Sequence, residues 1–197
     1  MNRTNDERTP LERHRTDRAQ SDGDESNVTV STDHDSTAGD PILVGIADYA
    51  LTTADDSLKT SGLGSCIGVA VHDEFAGVSG LLHFMLPGAA EVAGDGRPAA
   101  KFADTGLTAM LSEFEALGGN AARSWAKVAG GATMVEFEQG AESIGERNVA
   151  AVRRELDAYG VSIAGTDFGG NRGRSIEFDP ESGTLTITCA DGVERRL

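Results

Sequence analysis

Two runs of alternating side chains, "CIGVAVHD" at 66–73 and "GVSGLLHF" at 77–84, lie either side of the short polar connection "DEFAG". Alternation with a period of two makes each run a strand with one apolar face, and a connection this short makes the pair an antiparallel hairpin. No other feature constrains the chain as much, because a slip of one residue would turn one strand's faces over. A turn centred between Glu74 and Phe75 pairs Val71 with Val78, Val69 with Gly80, Ile67 with Leu82, and Cys66 with His83. Ile67, Val69, Val71, Val78 and Leu82 then share a core face. Cys66, Gly68, Ala70, Ser79, Leu81 and His83 share the other. A bulge that moved the register by two residues would keep those faces and leave Cys66 and His83 as near neighbours.

A thiol and an imidazole on one sheet face can do chemistry. A free thiol with a pKa of about 8.5 is mostly protonated at neutral pH, and an adjacent imidazole can take its proton. The thiolate attacks acyl carbon, and the imidazolium returns the proton to a departing amine or ammonia. Gly68 and Ala70 on the same face leave room for a ligand. The preceding "SGLG" reads as a tight glycine loop, in which Gly62 and Gly64 carry no Cβ and allow a close backbone approach. The amides of Ser65 and Cys66 are the expected donors to an oxyanion. The plainer reading makes Cys66 a small core residue and His83 a structural histidine. No second His or Cys has metal-ligand spacing, so no metal is expected. "GLGSCIG" is not a dinucleotide fingerprint, because its third glycine is misplaced and a strand follows it; no cofactor is expected.

The rest of the chain alternates strands with two helices. "PILVGIADYAL" reads as a first strand, and "GAAEVAGDGRPAA" as a loop. Phe102, Leu107, Met110, Leu111, Phe114 and Leu117 recur at helical spacing up to Gly118-Gly119. "SWAKVAGGATMVEF" reads as strand, glycine turn, strand. A second helix runs from Ser143 to about Tyr159, opened by a capping box of Ser143 and Glu146, with Ile144, Val152, Leu156 and Tyr159 on its buried side. A strand, a glycine loop and a hairpin turning at "DPESG" close the chain, with Cys189 packing beside Leu185 and Ile187. Hairpins with inserted helices predict an α+β fold.

Residues 1–40 are polar, and between Ser21 and Asp40 they carry Asp22, Asp24, Glu25, Asp33, Asp35 and Asp40 without a Lys or Arg. Such a segment cannot bury enough to offset its ordering entropy, so it reads as a disordered acidic tail before a single domain at 41–197. His14 and His34 fall in it. The whole chain of 197 residues has 32 Asp+Glu against 17 Lys+Arg, a net charge of −15. That sign argues against nucleic acid and against anionic membrane surfaces. Lys59, Lys101 and Lys127 are the only lysines, and an acidic, lysine-poor composition suits a salt-loving organism. There is no secretory h-region and no apolar run of the ~20 residues a membrane span needs. A reduced, cytoplasmic protein is expected.

Beyond single motifs, the ordered blocks "VGIADYAL", "TSGLGSCIGVAVHD", "GLLHFMLPG", "KFADTGLTAML", "KVAGGATM", "IGERNV" and "GGNRGRSIEFDPESG" resemble the CheD family of chemoreceptor glutamine deamidases. They cover nearly all of 42–188; the acidic tail and Ala129 depart from the pattern. The resemblance implies that Cys66, His83 and Thr60 form the catalytic group. It also implies a sandwich fold similar to deamidating toxins, receptor glutamines in cytoplasmic helices as substrate, and a CheC-type phosphatase as partner. Thr60 would orient His83; its plainer role is a turn residue. "GGNRGR", with Asn171 and Arg172 as substrate-binding residues, would shape the receptor-helix groove, Arg172 and Arg174 being available to acidic receptor residues, although the segment also reads as a structural glycine loop. The competing functions are a non-catalytic adaptor for receptors or a phosphatase, and a thiol hydrolase of another amide or ester.

Overall fold

A computed structural model of the chain describes residues 30–31, 39–91, 96–133 and 142–197. The described residues form strands β1 (Val30–Ser31), β2 (Ile42–Val44), β3 (Asp48–Thr52), β4 (Leu58–Leu63), β5 (Ile67–Asp73) and β6 (Val78–Phe84). Helix α1 (Ala103–Ala116), β7 (Trp125–Gly130) and α2 (Ile144–Ala158) follow, then β8 (Ser162–Phe168), β9 (Arg174–Asp179), β10 (Thr184–Cys189) and β11 (Glu194–Arg196). Three-residue helical turns at Ala89–Glu91 and Ala99–Lys101 interrupt the expected loop before α1. The fold is α+β, as its hairpins and two helices predict.

Two mixed sheets stack. One has the order β1-β3-β6-β5-β7-β8 and the other β11-β10-β9-β4-β2. Alternation decides what each face of the central hairpin covers. Ile67, Val69, Val71, Val78, Leu82 and Phe84 pack under α1 and α2 with Leu107, Met110, Phe114, Val152 and Leu156. Ala70 and Leu81 point the other way, into a second core with Leu58, Leu63, Ile176, Phe178, Leu185 and Ile187. The result is a layer of helices, a sheet, and a second sheet.

The hairpin has the predicted faces in a different register. Gly68 pairs with His83 and Asp73 with Val78, two residues out from the pairing expected from a turn at Glu74-Phe75. Asp73 is the reason. Its buried carboxylate accepts the Phe75 and Ala76 amides at 3.1 and 3.2 Å, and the Gly77 amide donates to its carbonyl at 2.9 Å. Gly77 adopts φ +65°, which closes the loop at residues 74–77 and moves its centre by one residue. The same carboxylate is bridged by Arg123 and accepts the Asn120 amide at 2.9 Å, tying the turn to the connection between α1 and β7.

Three further expectations change. "PILVGIADYAL" is two strands in different sheets, because the chain crosses the sandwich at 45–47, where Ala47 takes φ +58°. The segment before Cys66 is a strand rather than a loop through Leu63, with a bulge between Thr60 and Leu63. The small residues on the Cys66 face do not leave room for a ligand; they admit the second sheet. A Cβ on Gly68 would stand 2.4 Å from Ile176 Cδ1.

The α2 capping box forms as predicted: the Glu146 amide donates to Ser143 Oγ at 3.2 Å and the Ser143 amide donates to Glu146 Oε2 at 2.8 Å. Of the tail, Val30–Ser31 lies parallel to β3, and the rest of 1–38 is outside the described residues. The strand expected after the glycine turn, which ends at 137, is outside them from 134 onward. Among the described residues no helix is long and apolar enough to cross a membrane.

Candidate functional site

Thr60 lies on β4, whose inward positions Leu58 and Thr60 are buried while Lys59 faces out to an ion pair with Glu177 at 2.9 Å. Across the sandwich, His83 lies on β6 and is fully buried. The two meet at 2.8 Å, Thr60 Oγ1 to His83 Nδ1, so this hydrogen bond links the two sheets. Thr60 Oγ1 also lies 2.8 Å from the Val44 carbonyl. A carbonyl only accepts, and a hydroxyl has one hydrogen, so Thr60 donates to Val44 and must accept from His83. That assigns the imidazole proton to Nδ1 and leaves the lone pair on Nε2. Burial disfavours the imidazolium and pulls the His83 pKa down to about 4.

Cys66 sits at the bend between β4 and β5, half-buried against the inter-sheet core. It precedes the Gly68–His83 pair by two residues, which makes it a diagonal neighbour of His83 on the same face. Burial pushes its thiol pKa up, opposed in part by its own amide. A raised thiol and a lowered imidazole make the resting pair neutral. Nε2 has no hydrogen-bond partner, so the thiol is not bonded to it in this state.

The backbone around Cys66 is pinned carbonyl by carbonyl. Gly64 O accepts the Ala132 amide at 2.8 Å, Ser65 O accepts Asn148 Nδ2 at 2.8 Å, and Cys66 O accepts the Gly131 amide at 2.9 Å. Because N–H and C=O point opposite ways across a trans peptide, these bonds aim the Ser65 and Cys66 amides away from α2 and β7. Gly130 is the glycine that makes this approach feasible: it adopts φ +122°, and a Cβ there would lie 2.2 Å from Cys66 O. Gly62, by contrast, has open space where a Cβ would be.

Among the described residues, His83 Nε2, Asn148 Oδ1 and Arg174 Nε are buried polar atoms without a partner. All three residues border the segment 63–68: His83 pairs with Gly68, Asn148 holds Ser65, and Arg174 pairs with Leu63. Unpaired buried polar atoms are rare and call for an explanation such as catalysis.

The glycine loop at 169–173 adjoins this site. The Gly169 amide donates to Gly130 O and the Thr133 amide to Gly170 O, each at 2.9 Å. Asn171 and Arg172 are exposed there, with Arg172 paired to Asp191. Arg174 is not available to a partner, contrary to expectation: it is buried, ion-paired to Asp167 and bonded to the Asp167 and Gly169 carbonyls. His72 is structural, with Nδ1 2.8 Å from Ser79 Oγ and its ring edge-on to Trp125. Cys189 is half-buried at the end of β10. Sequence reasoning missed Asn148, Gly130 and the Val44 carbonyl. Asn148 had left a signal, since it falls on the α2 face that buries Gly145, Ala151 and Val152.

The family model for CheD, described as chemotactic sensory transduction, matches residues 85–189. A probable chemoreceptor glutamine deamidase CheD of Haloarcula marismortui is 45% identical over 150 residues, covering 76% of this chain and 86% of that one. The chain belongs to the CheD family. Two more CheD relatives are 39% identical, one a probable deamidase from Natronomonas pharaonis and one a deamidase from Halalkalibacterium halodurans. They cover 83% and 80% of this chain and 96% and 99% of their own. Among solved structures, the hypothetical protein YfiH of Bacillus licheniformis is similar at a TM-score of 0.44 and 12% identity, over 63% of this chain and 51% of that one.

Proposed function

We propose that this CheD chain hydrolyses glutamine side-chain amides of chemoreceptors to glutamate and ammonia, with Cys66 as nucleophile, His83 as proton carrier and Thr60 as its orienter. The observation that carries the reading is the unpartnered Nε2 lone pair of His83, held by the Thr60 bond on the sheet face that bears Cys66. Cys66 Sγ attacks the glutamine Cδ while its proton passes to Nε2. The oxyanion is taken by the Ser65 and Cys66 amides. The imidazolium then protonates the amide nitrogen, the C–N bond breaks, ammonia leaves and a thioester remains. Water attacks that thioester and gives a proton to Nε2. Collapse of the second oxyanion expels the thiolate, which recovers the proton and frees glutamate.

Burial of both groups makes the ion pair costly in the resting state, so proton transfer accompanies attack rather than preceding it. The substrate segment is a cytoplasmic receptor helix, which places the enzyme in the cytoplasm. A CheC-type phosphatase is its regulatory partner. Asn171 and Arg172, exposed beside the segment that pins Cys66, contact the receptor.

The test is intact mass and ammonia release from a receptor cytoplasmic fragment, with free glutamine as the comparison. Activity on the fragment alone is expected. Turnover of free glutamine at a similar rate would replace this reading with a small-amide hydrolase, and no turnover of either would favour a binding module.

A further inference from the structure

We infer that Asn148 is a positioning residue for the reaction, locking the Cys66 amide in the orientation that receives the oxyanion. The inference rests on the proposed role of Cys66. Asn148 is fully buried on α2, and its Nδ2 donates to Ser65 O and to Met85 O, each at 2.8 Å. Two carbonyl acceptors at that distance assign this end of the amide as nitrogen. One carbonyl belongs to the residue before Cys66, and the other to the second residue after His83. A single side chain therefore bridges the two pieces of backbone that carry the reacting groups.

The peptide geometry makes the bridge chemically specific. Ser65 O and the Cys66 amide belong to one peptide plane and point in opposite directions. Holding Ser65 O toward α2 directs the Cys66 N–H to the other side, and the Gly131 amide holds Cys66 O from the next plane. Neither plane can turn without breaking a hydrogen bond. An oxyanion donor that is already aimed needs no reorganisation when charge develops, and that is the source of its catalytic value.

Asn148 is not placed for its own hydrogen-bonding satisfaction, since Oδ1 is buried without a partner. Its neighbours along the buried face, Val152 and Leu156, are apolar. An apolar residue at 148 would remove the unpaired Oδ1 but would orphan two carbonyls and free the Ser65–Cys66 peptide.

The test compares Asn148→Asp, which keeps the shape but turns an oxygen toward both carbonyls, and Asn148→Ser, which keeps a hydroxyl donor. Each is assayed for kcat and KM on a receptor fragment, for the rate of Cys66 alkylation by iodoacetamide, and for thermal melting. Alkylation displaces iodide from a saturated carbon and forms no oxyanion. For Asn148→Asp we expect kcat to fall roughly 100-fold, the loss of one oxyanion donor, with KM and alkylation within about 3-fold of wild type. Asn148→Ser is expected to lose less. If the aspartate variant melts below the assay temperature, the serine variant is read alone, with the same split between kcat and alkylation. Wild-type kcat in a folded variant would overturn the inference, as would kcat and alkylation falling by one common factor, which marks a general loosening of the loop. Cys66→Ala is run alongside: if it stays active, the nucleophile assignment fails, a result distinguishable from a failure at Asn148.

Discussion

With its one ring proton donated to Thr60, the resting His83 ring offers only a lone pair at Nε2, ready to take the thiol proton and pass it on, and three outcomes are expected at this scale. Replacing His83 by alanine should lower deamidation by about 10²–10⁴, the usual worth of a positioned acid–base group. Thr60→Val should cost about tenfold, one hydrogen bond's worth, because it frees the ring to change tautomer. Equal losses in the two variants would make Thr60 more than an orienter. Cys66→Ala should abolish turnover and cost about 1 kcal/mol or less in stability, since the half-buried side chain loses a single atom.

The pH dependence carries a sign that separates this site from an exposed Cys–His pair. Because burial pulls His83 down to about 4, the base stays unprotonated through the weakly acidic range. Because burial pushes Cys66 up, ionisation of the thiol comes later than usual. Activity on a receptor fragment should therefore stay nearly flat through neutral and weakly acidic pH, with no inflection near 6.5. An acid limb at that ordinary imidazole value would contradict the buried assignment. Stability follows the same group. The unfolded chain binds a proton at about 6.5 and the folded chain only near 4, so stability is lost as pH falls between them, by up to roughly 3 kcal/mol. His72, whose pKa burial also lowers, adds a loss of the same sign. Denaturant melts at pH 7 and 4.5 should show a smaller drop in His83→Gln than in wild type.

Among the elements, the end of β7 bears directly on the site through Gly130. Gly130→Ala places a Cβ against the Cys66 carbonyl in a conformation alanine resists, so the backbone must move. A loss of more than about 1–3 kcal/mol is expected, together with a fall in kcat that persists in the fraction still folded. Full activity in that variant would show that the pinned carbonyl is not needed. At the start of α2, Ser143→Ala removes half of the capping box and should cost about 1 kcal/mol by chemical melts, with kcat little changed.

At the scale of the whole molecule, a net charge of −15 makes self-repulsion a term in stability, and salt screens it. Melting temperature should climb between 0.1 and 2 M KCl, more steeply than for a relative of balanced charge. The acidic tail is the part we propose to be dispensable. Removing residues 1–40 deletes β1, whose pairs among the described residues are Val30 with Leu51 and Ser31 with Thr52, so the melt at fixed salt should change little. A marked fall would mean the tail packs on the domain.

The period-two alternation at 67–84 determined both faces of the central hairpin by itself, because parity survives any even shift of register. Helical spacing determined α1, and the capping pair determined the start of α2, because both signals lie within a few residues of each other. The exact pairing was local too, in Asp73 and Gly77, yet it depended on which of two adjacent turns the carboxylate would close. Other features depended on parts of the chain far apart in sequence. Thr60 could be read as a turn residue until the second sheet brought β4 across from β6. Gly68 and Ala70 looked like room for a ligand until Ile176 filled it. Asn148 acts on Ser65 and Met85 from a helix remote in sequence, and only packing decides which carbonyls a buried amide meets. Short-range periodicity shows which way a side chain points, but what lies opposite it is decided when distant segments close on one another.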